Sequence, residues 1–175
     1  MDMTPDEDFH NALYLSVGQL VIPWAFVEQG LTQWVEIIYT RARSPHGEST
    51  IPTELRRKME FIKKCFKTTP SIMHLEPRVK GMIERMHPII DARHWLIHGT
   101  LSKWDLNKQT FTFVRMDANK QHHRINQKQF TFKRVLKLGQ DCLDLSKETS
   151  TFSHDLLDIF MPENMRHKFS RKRSP

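Results

Sequence analysis

Apolar residues recur along much of this chain at alternating steps of four and three, and that rhythm decides the fold class. Leu13, Val17, Leu20, Trp24, Val27, Leu31, Trp34 and Ile38 keep it in the first forty residues, as the buried stripe of a long amphipathic helix does. Thr4, Pro5 and Glu7 mark its start: the threonine caps, the proline suits the first turn, and the glutamate completes a capping box. Pro23 interrupts the stripe. A proline removes one backbone hydrogen bond and crowds the carbonyl four residues back, so a kink or two abutting helices is expected there.

After a polar loop from Ser44 to Pro52, Leu55, Met59, Ile62 and Phe66 predict a second helix over Thr53 to Lys67, ending before Thr69-Pro70. A third begins near Leu75 or Pro77 and carries Leu75, Val79, Met82, Met86, Ile89, Arg93 and Leu96, with Pro88 expected to bend it. Beyond Gly99 the period changes to that of strands. Thr100 to Asp105, Thr110 to Met116 and Gln121 to Ile125 are rich in β-branched and aromatic residues and are separated by polar turns. A last helix, Phe130 to Phe160, carries Val135, Leu138, Cys142, Leu145, Phe152, Leu156 and Ile159 and ends at Pro162. The expected fold is mainly α: an antiparallel four-helix-type bundle with a small antiparallel β-meander inserted between the third and last long helices. Residues 1 to 163 form one helical domain, and 164 to 175 a basic, flexible tail.

The net charge of +7 resembles a nucleic-acid footprint until it is located. Arg166, Lys168, Arg171, Lys172 and Arg173 lie in a tail without acidic residues, leaving a net of only +2 on residues 1 to 163. A second cluster, Arg56, Arg57 and Lys58 with Lys63, Lys64 and Lys67, would be held on the second helix. Such a face is usually only solvated; Arg56, Arg57, Lys63, Lys64 and, on the first strand, Lys103 are the candidate contacts for a polyanion. The longest apolar run, around Leu20 to Phe26, falls well short of the roughly 20 residues a membrane span needs. The acidic N-terminus lacks a secretion signal's pattern, so a cytoplasmic location without membrane partners is expected. Cys65 and Cys142 have no CxxC neighbour and read as reduced core thiols.

The chemistry concentrates in Ile89-Ile90-Asp91-Ala92-Arg93-His94-Trp95-Leu96-Ile97-His98-Gly99-Thr100. This is the end of the third helix, with Gly99 as its stop because glycine tolerates the positive φ of a helix exit. Arg93 and His98 are five apart, about 140° around an ideal helix, and a long arginine side chain can swing toward an imidazole at the last turn. Arg93 falls on the apolar stripe, where a guanidinium must pair, line a cleft or face a partner. Beside it runs a polar stripe of His87, Asp91, His94 and His98.

Arg93-His94-Trp95-Leu96-Ile97-His98 resembles the signature of the HEPN superfamily: an arginine, a polar residue, three variable residues and a histidine near a helix C-terminus. Arg41 and His46 share the spacing but straddle a Ser44-Pro45 turn. The family commonly has asparagine where this chain has His94. The resemblance covers most of residues 5 to 160 and implies a helical domain acting as a metal-independent RNA endonuclease, without cofactors. In that chemistry the ribose 2′-hydroxyl attacks its own 3′-phosphate. His98 would be the acid/base, Arg93 would stabilise the phosphorane charge, and His94 would support them. A homodimer is implied, with a composite site where two Arg93–His98 pairs converge; a toxin or antiviral-defence role and a neutralising partner protein enter the same way. The alternative is a non-catalytic HEPN-like dimer that binds a nucleotide or a protein. A metal site is the minor alternative, since Glu84 with His87, Glu7 with His10, and His94 with His98 have ligand-like spacings.

Overall fold

The structure, a computed structural model, describes residues 4–42, 50–118 and 123–161. The elements in chain order are α1 (Pro5–Arg41), α2 (Leu55–Thr68), a 3-10 turn (Met73–Leu75), α3 (Glu76–His98), β1 (Thr100–Asp105), β2 (Thr110–Ala118), β3 (His123–Thr131) and α4 (Phe132–Phe160). The protein is mainly helical, with one three-stranded antiparallel sheet in the order β1-β2-β3. It divides into two compact units, one of residues 1–25 and 85–144, the other of 26–84 and 145–175. The division falls inside α1, α3 and α4, so each of these helices gives one part to each unit. The tail from 164 onward, most of the loop from Ser44 and the turn at 119–122 lie outside the described residues.

In the first unit, α1 starts as its sequence requires. The Thr4 backbone N–H and hydroxyl donate to Glu7 Oε2 at 2.7 and 3.1 Å, which holds the Glu7 carboxyl below the usual glutamate range, and the Glu7 N–H donates in return to Thr4 Oγ1 at 3.3 Å. Of the two outcomes expected at Pro23, two abutting helices do not occur: α1 is one continuous helix with Pro23 inside it. The proline deprives the Gln19 carbonyl, four residues back, of its helical donor, and α4 passes directly over that carbonyl. A Cβ on Gly139 would stand 2.9 Å from Gln19 O, so only glycine allows α4 to approach this closely.

The core of this unit joins Phe9, Leu13, Leu20 and Trp24 to Met86, Ile89 and Leu96, to Phe111, Phe113 and Phe130, and to Val135, Leu138 and Cys142. Phe9 stacks on Trp104 at 5.2 Å between ring centroids, and Phe111 on Phe130 at 5.9 Å. The sheet is larger than its sequence suggests. β3 spans His123–Thr131 and so runs on past Ile125, through residues expected to lead into the last helix. Those residues pair with β2, Phe111 opposite Phe130, Phe113 opposite Lys128 and Arg115 opposite Asn126. Directly opposed residues share a face, so the face that supplies Phe111, Phe113 and Phe130 to the core continues into Arg115 and Lys128. α4 accordingly starts two residues later than expected, its first turn capped by Thr131, whose Oγ1 accepts from the Arg134 N–H at 3.1 Å.

In the second unit, Trp34 is fully buried. Its indole N–H is shared between Thr149 O at 3.2 Å and Ser153 Oγ at 3.0 Å, and its ring meets Phe152 edge-on at 4.7 Å. Gly30 makes room, since a Cβ there would stand 3.0 Å from Thr149 Cβ. Phe61, Ile62, Cys65 and Phe66 of α2 are buried, with Phe66 5.7 Å from Phe152. Arg78 lies over Phe152 at 4.8 Å and pairs with Asp155 at 2.9 Å. Cys65 and Cys142 are buried and form no disulfide, and burial pushes the Cys142 thiol up to about 12.

Candidate functional site

Six of the groups that matter lie on the last two turns of α3 and on the strands beside them, all within the first unit. α3 ends at His98, as its sequence predicts, but Gly99 does so for a different reason from the one expected. Its φ lies outside the left-handed region; a Cβ there would stand 2.5 Å from Trp95 O and 3.1 Å from the Phe113 ring. The glycine is a requirement of space. It lets the chain leave the helix tightly against β2 and enter β1 at once, which holds the α3 terminus close to the sheet.

His94 and His98, one turn apart, are both exposed, and their rings lie edge to face with centroids 5.1 Å apart. Arg93 is half-buried: its Nε is shielded from solvent, and the side chain interacts with its surroundings. Asp91 is bonded by Lys128 of β3, and the Arg115 guanidinium of β2 lies 5.3 Å from the centre of the Trp95 ring. Partial desolvation between helix and sheet is the first cause that lowers the His94 pKa below the ordinary 6.5, followed by the positive charge of Arg115, His98 and Arg93, with Asp91 opposing. Exposed as the ring is, it lies in a field of cations, and its neutral form is favoured.

The other sequence candidates are carried by α2 and β1. Arg56 and Arg57 on α2 are exposed and pair with Glu60 at 2.9 Å and Glu54 at 3.8 Å, the ordinary behaviour of a solvated helix face. Lys63 and Lys64 are exposed on the same helix. Lys103 is exposed on β1, where the pairing with β2 slips. Of the metal-like spacings, Glu7 is taken up by its cap, and among the described residues no three His, Cys, Asp or Glu side chains group as metal ligands would.

Arg115 and Lys128 were not among the sequence candidates. Alternation along β2 places Arg115 on the same face as Phe111 and Phe113, which marks it as facing inward. That this face ends at Asp91, His94 and Trp95 requires the strand register and the tight exit at Gly99. Comparison of the chain with family models, curated proteins and solved structures found no significant match.

Proposed function

We propose that the protein is a metal-independent RNA endonuclease of the HEPN kind, its helices packed as a HEPN-like bundle and its chemistry carried by Arg93, His94 and His98. The observation that carries this reading is the pair of exposed imidazoles 5.1 Å apart beside a guanidinium at the end of one helix. Cleavage by the ribose 2′-hydroxyl needs a group to take its proton, another to protonate the departing 5′-oxygen, and a cation for the charge on phosphorus. His94, whose neutral form is favoured, suits the base, His98 the acid, and Arg93 the electrostatic role.

The second proton-transfer group that a composite site would draw from another copy is then already present in each protomer. A homodimer remains part of the reading, with one such set per chain. Lys63, Lys64 and Lys103 are proposed phosphate contacts, while Arg56 and Arg57 are weaker candidates because they already have carboxylate partners. A cytoplasmic setting, a toxin or defence role and a neutralising partner protein belong to the same proposal.

The test is cleavage of a single-stranded RNA in excess chelator by the wild type, Arg93→Ala and His98→Ala. Each substitution is expected to lower the rate by roughly 100-fold or more. Undiminished cleavage by both would place the activity elsewhere. A non-catalytic binding module is the second reading, favoured by the way the cations at the site are engaged by protein, Lys128 by Asp91 and Arg115 by Trp95. RNA or nucleotide binding without cleavage in the wild type would select it.

A further inference from the structure

Between the N-terminal parts of α1 and α4, and bordered by the turn that joins β1 to β2, the first unit holds a groove of about 570 Å³. Small-molecule sites occupy roughly 300–1,000 Å³ and combine apolar walls with a few polar groups. Here Phe9 and Phe132 meet edge to face, ring centroids 5.5 Å apart, and Leu15, Leu106 and Leu136 extend the apolar lining. The turn is fixed in place: the Phe132 N–H donates to Gln109 O at 3.3 Å, which ties it to the start of α4. Gln109 stands at φ 51°, in the left-handed region. Glycine would adopt that conformation without strain, yet a residue with a polar side chain occupies it and lines the groove.

Two of the lining residues are charged, Asp8 from α1 and Lys133 from α4. Among the described residues no ion pair or side-chain hydrogen bond takes up either group, and they stand too far apart to pair with each other. Other charges nearby are paired, Lys137 with Asp141 at 2.7 Å on α4 and Lys108 with Asp105 at 3.5 Å in the turn. An occupant of the groove therefore meets a carboxylate on one wall, an ammonium on the other and two phenyl rings between. A phosphate or a fatty acid would be drawn by Lys133 and opposed by Asp8, and a neutral apolar molecule would use neither.

We propose that this groove binds a small zwitterion with an apolar, aromatic body, the chemistry of a hydrophobic dipeptide. Its ammonium pairs with Asp8, its carboxylate with Lys133, and its side chains lie against Phe9 and Phe132, which offer an aromatic ring both a face and an edge. Two residues span up to about 7 Å at roughly 3.3–3.6 Å each. That reach suits two charges that do not touch. The site goes beyond the nuclease reading and uses no residue of α3.

The test is an NMR titration of the isotope-labelled full chain with phenylalanyl-leucine, its N-acetyl form and its C-terminal amide. The parent dipeptide is expected to shift the amides of Phe9, Phe132 and Leu136 with a Kd under about 1 mM. Each blocked form should bind roughly tenfold more weakly, having lost one charge-assisted bond. Asp8→Asn should remove the penalty for acetylation alone, and Lys133→Gln the penalty for amidation alone; both positions are exposed, so folding should be unaffected. Ala12→Trp, at an exposed position that lines the groove, should abolish binding of all three. No shift at several millimolar overturns the proposal. So does equal affinity for the three forms, which would leave only an apolar cleft, or tighter binding of the N-acetyl form, which would make the ligand an anion. Binding that persists in Ala12→Trp overturns the location. RNA cleavage by the same variants, expected unchanged, reports on the nuclease reading separately.

Discussion

The surroundings of Trp34 and the end of α3 both bring polar groups against aromatic rings, yet they dispose of those groups in opposite ways. At Trp34 every participant is buried: the indole N–H is held by Thr149 O and Ser153 Oγ, and the Ser153 hydroxyl itself donates to Thr149 O at 3.0 Å. At the end of α3 the polar groups are ionisable, and Asp91, His94 and His98 remain open to water. A neutral donor can be buried once it has a partner, because its hydrogen bond recovers the lost solvation. A charge loses far more on burial and is kept near solvent. The first region therefore holds the fold, while the second is free to respond to what approaches it.

The widest gap between the two should appear in stability. Trp34→Ala empties a fully buried indole site and leaves Ser153 in a cavity, so unfolding free energy from urea titration should fall by about 3–5 kcal/mol. Lys128→Ala removes one partner of the Asp91 ion pair, whose members are 27% and 52% exposed, and should cost under about 1 kcal/mol in the same titration. Comparable losses from the two would break the distinction, because the end of α3 would then be a structural keystone.

The smallest effect sharpens it. The folded protein disfavours the imidazolium of His94, so as pH falls below 6.5 the unfolded chain binds the extra proton first. Stability tied to this group is complete above that pH and is lost as pH falls through the lowered native value. Melting temperatures measured from pH 7 to 5 should therefore decline less in His94→Gln than in the wild type. An identical decline would mean that the desolvation and the cationic neighbours of the ring have no thermodynamic weight.

The helices were legible in the sequence because each carries a long stripe at one period, and Val79, Met82, Met86, Ile89 and Leu96 are buried as that stripe requires. The second half of β3 was not. On its inward face Asn126 and Lys128 precede Phe130, so a strand that packs through one aromatic shows no apolar alternation. The continuity of α1 was hidden for another reason: a proline inside an apolar stripe is compatible with one kinked helix or with two, and the segment that packs on the carbonyl it frees, at Gly139, is more than a hundred residues away. At the site, Arg93, His94 and His98 were visible as a local motif. Arg115 and Lys128 reach it only through strand register, which a linear pattern does not carry.

α4 has an implication for how the chain is made. Val135, Leu138 and Cys142 complete the interior of one unit, and Leu145, Phe152 and Leu156 complete that of the other. During synthesis both units wait for this helix to leave the ribosome, since neither has its full set of apolar partners before then. Until that moment the Trp34 indole N–H has neither Thr149 O nor Ser153 Oγ to accept its hydrogen bond, and the apolar stripes of the nascent chain stay uncovered.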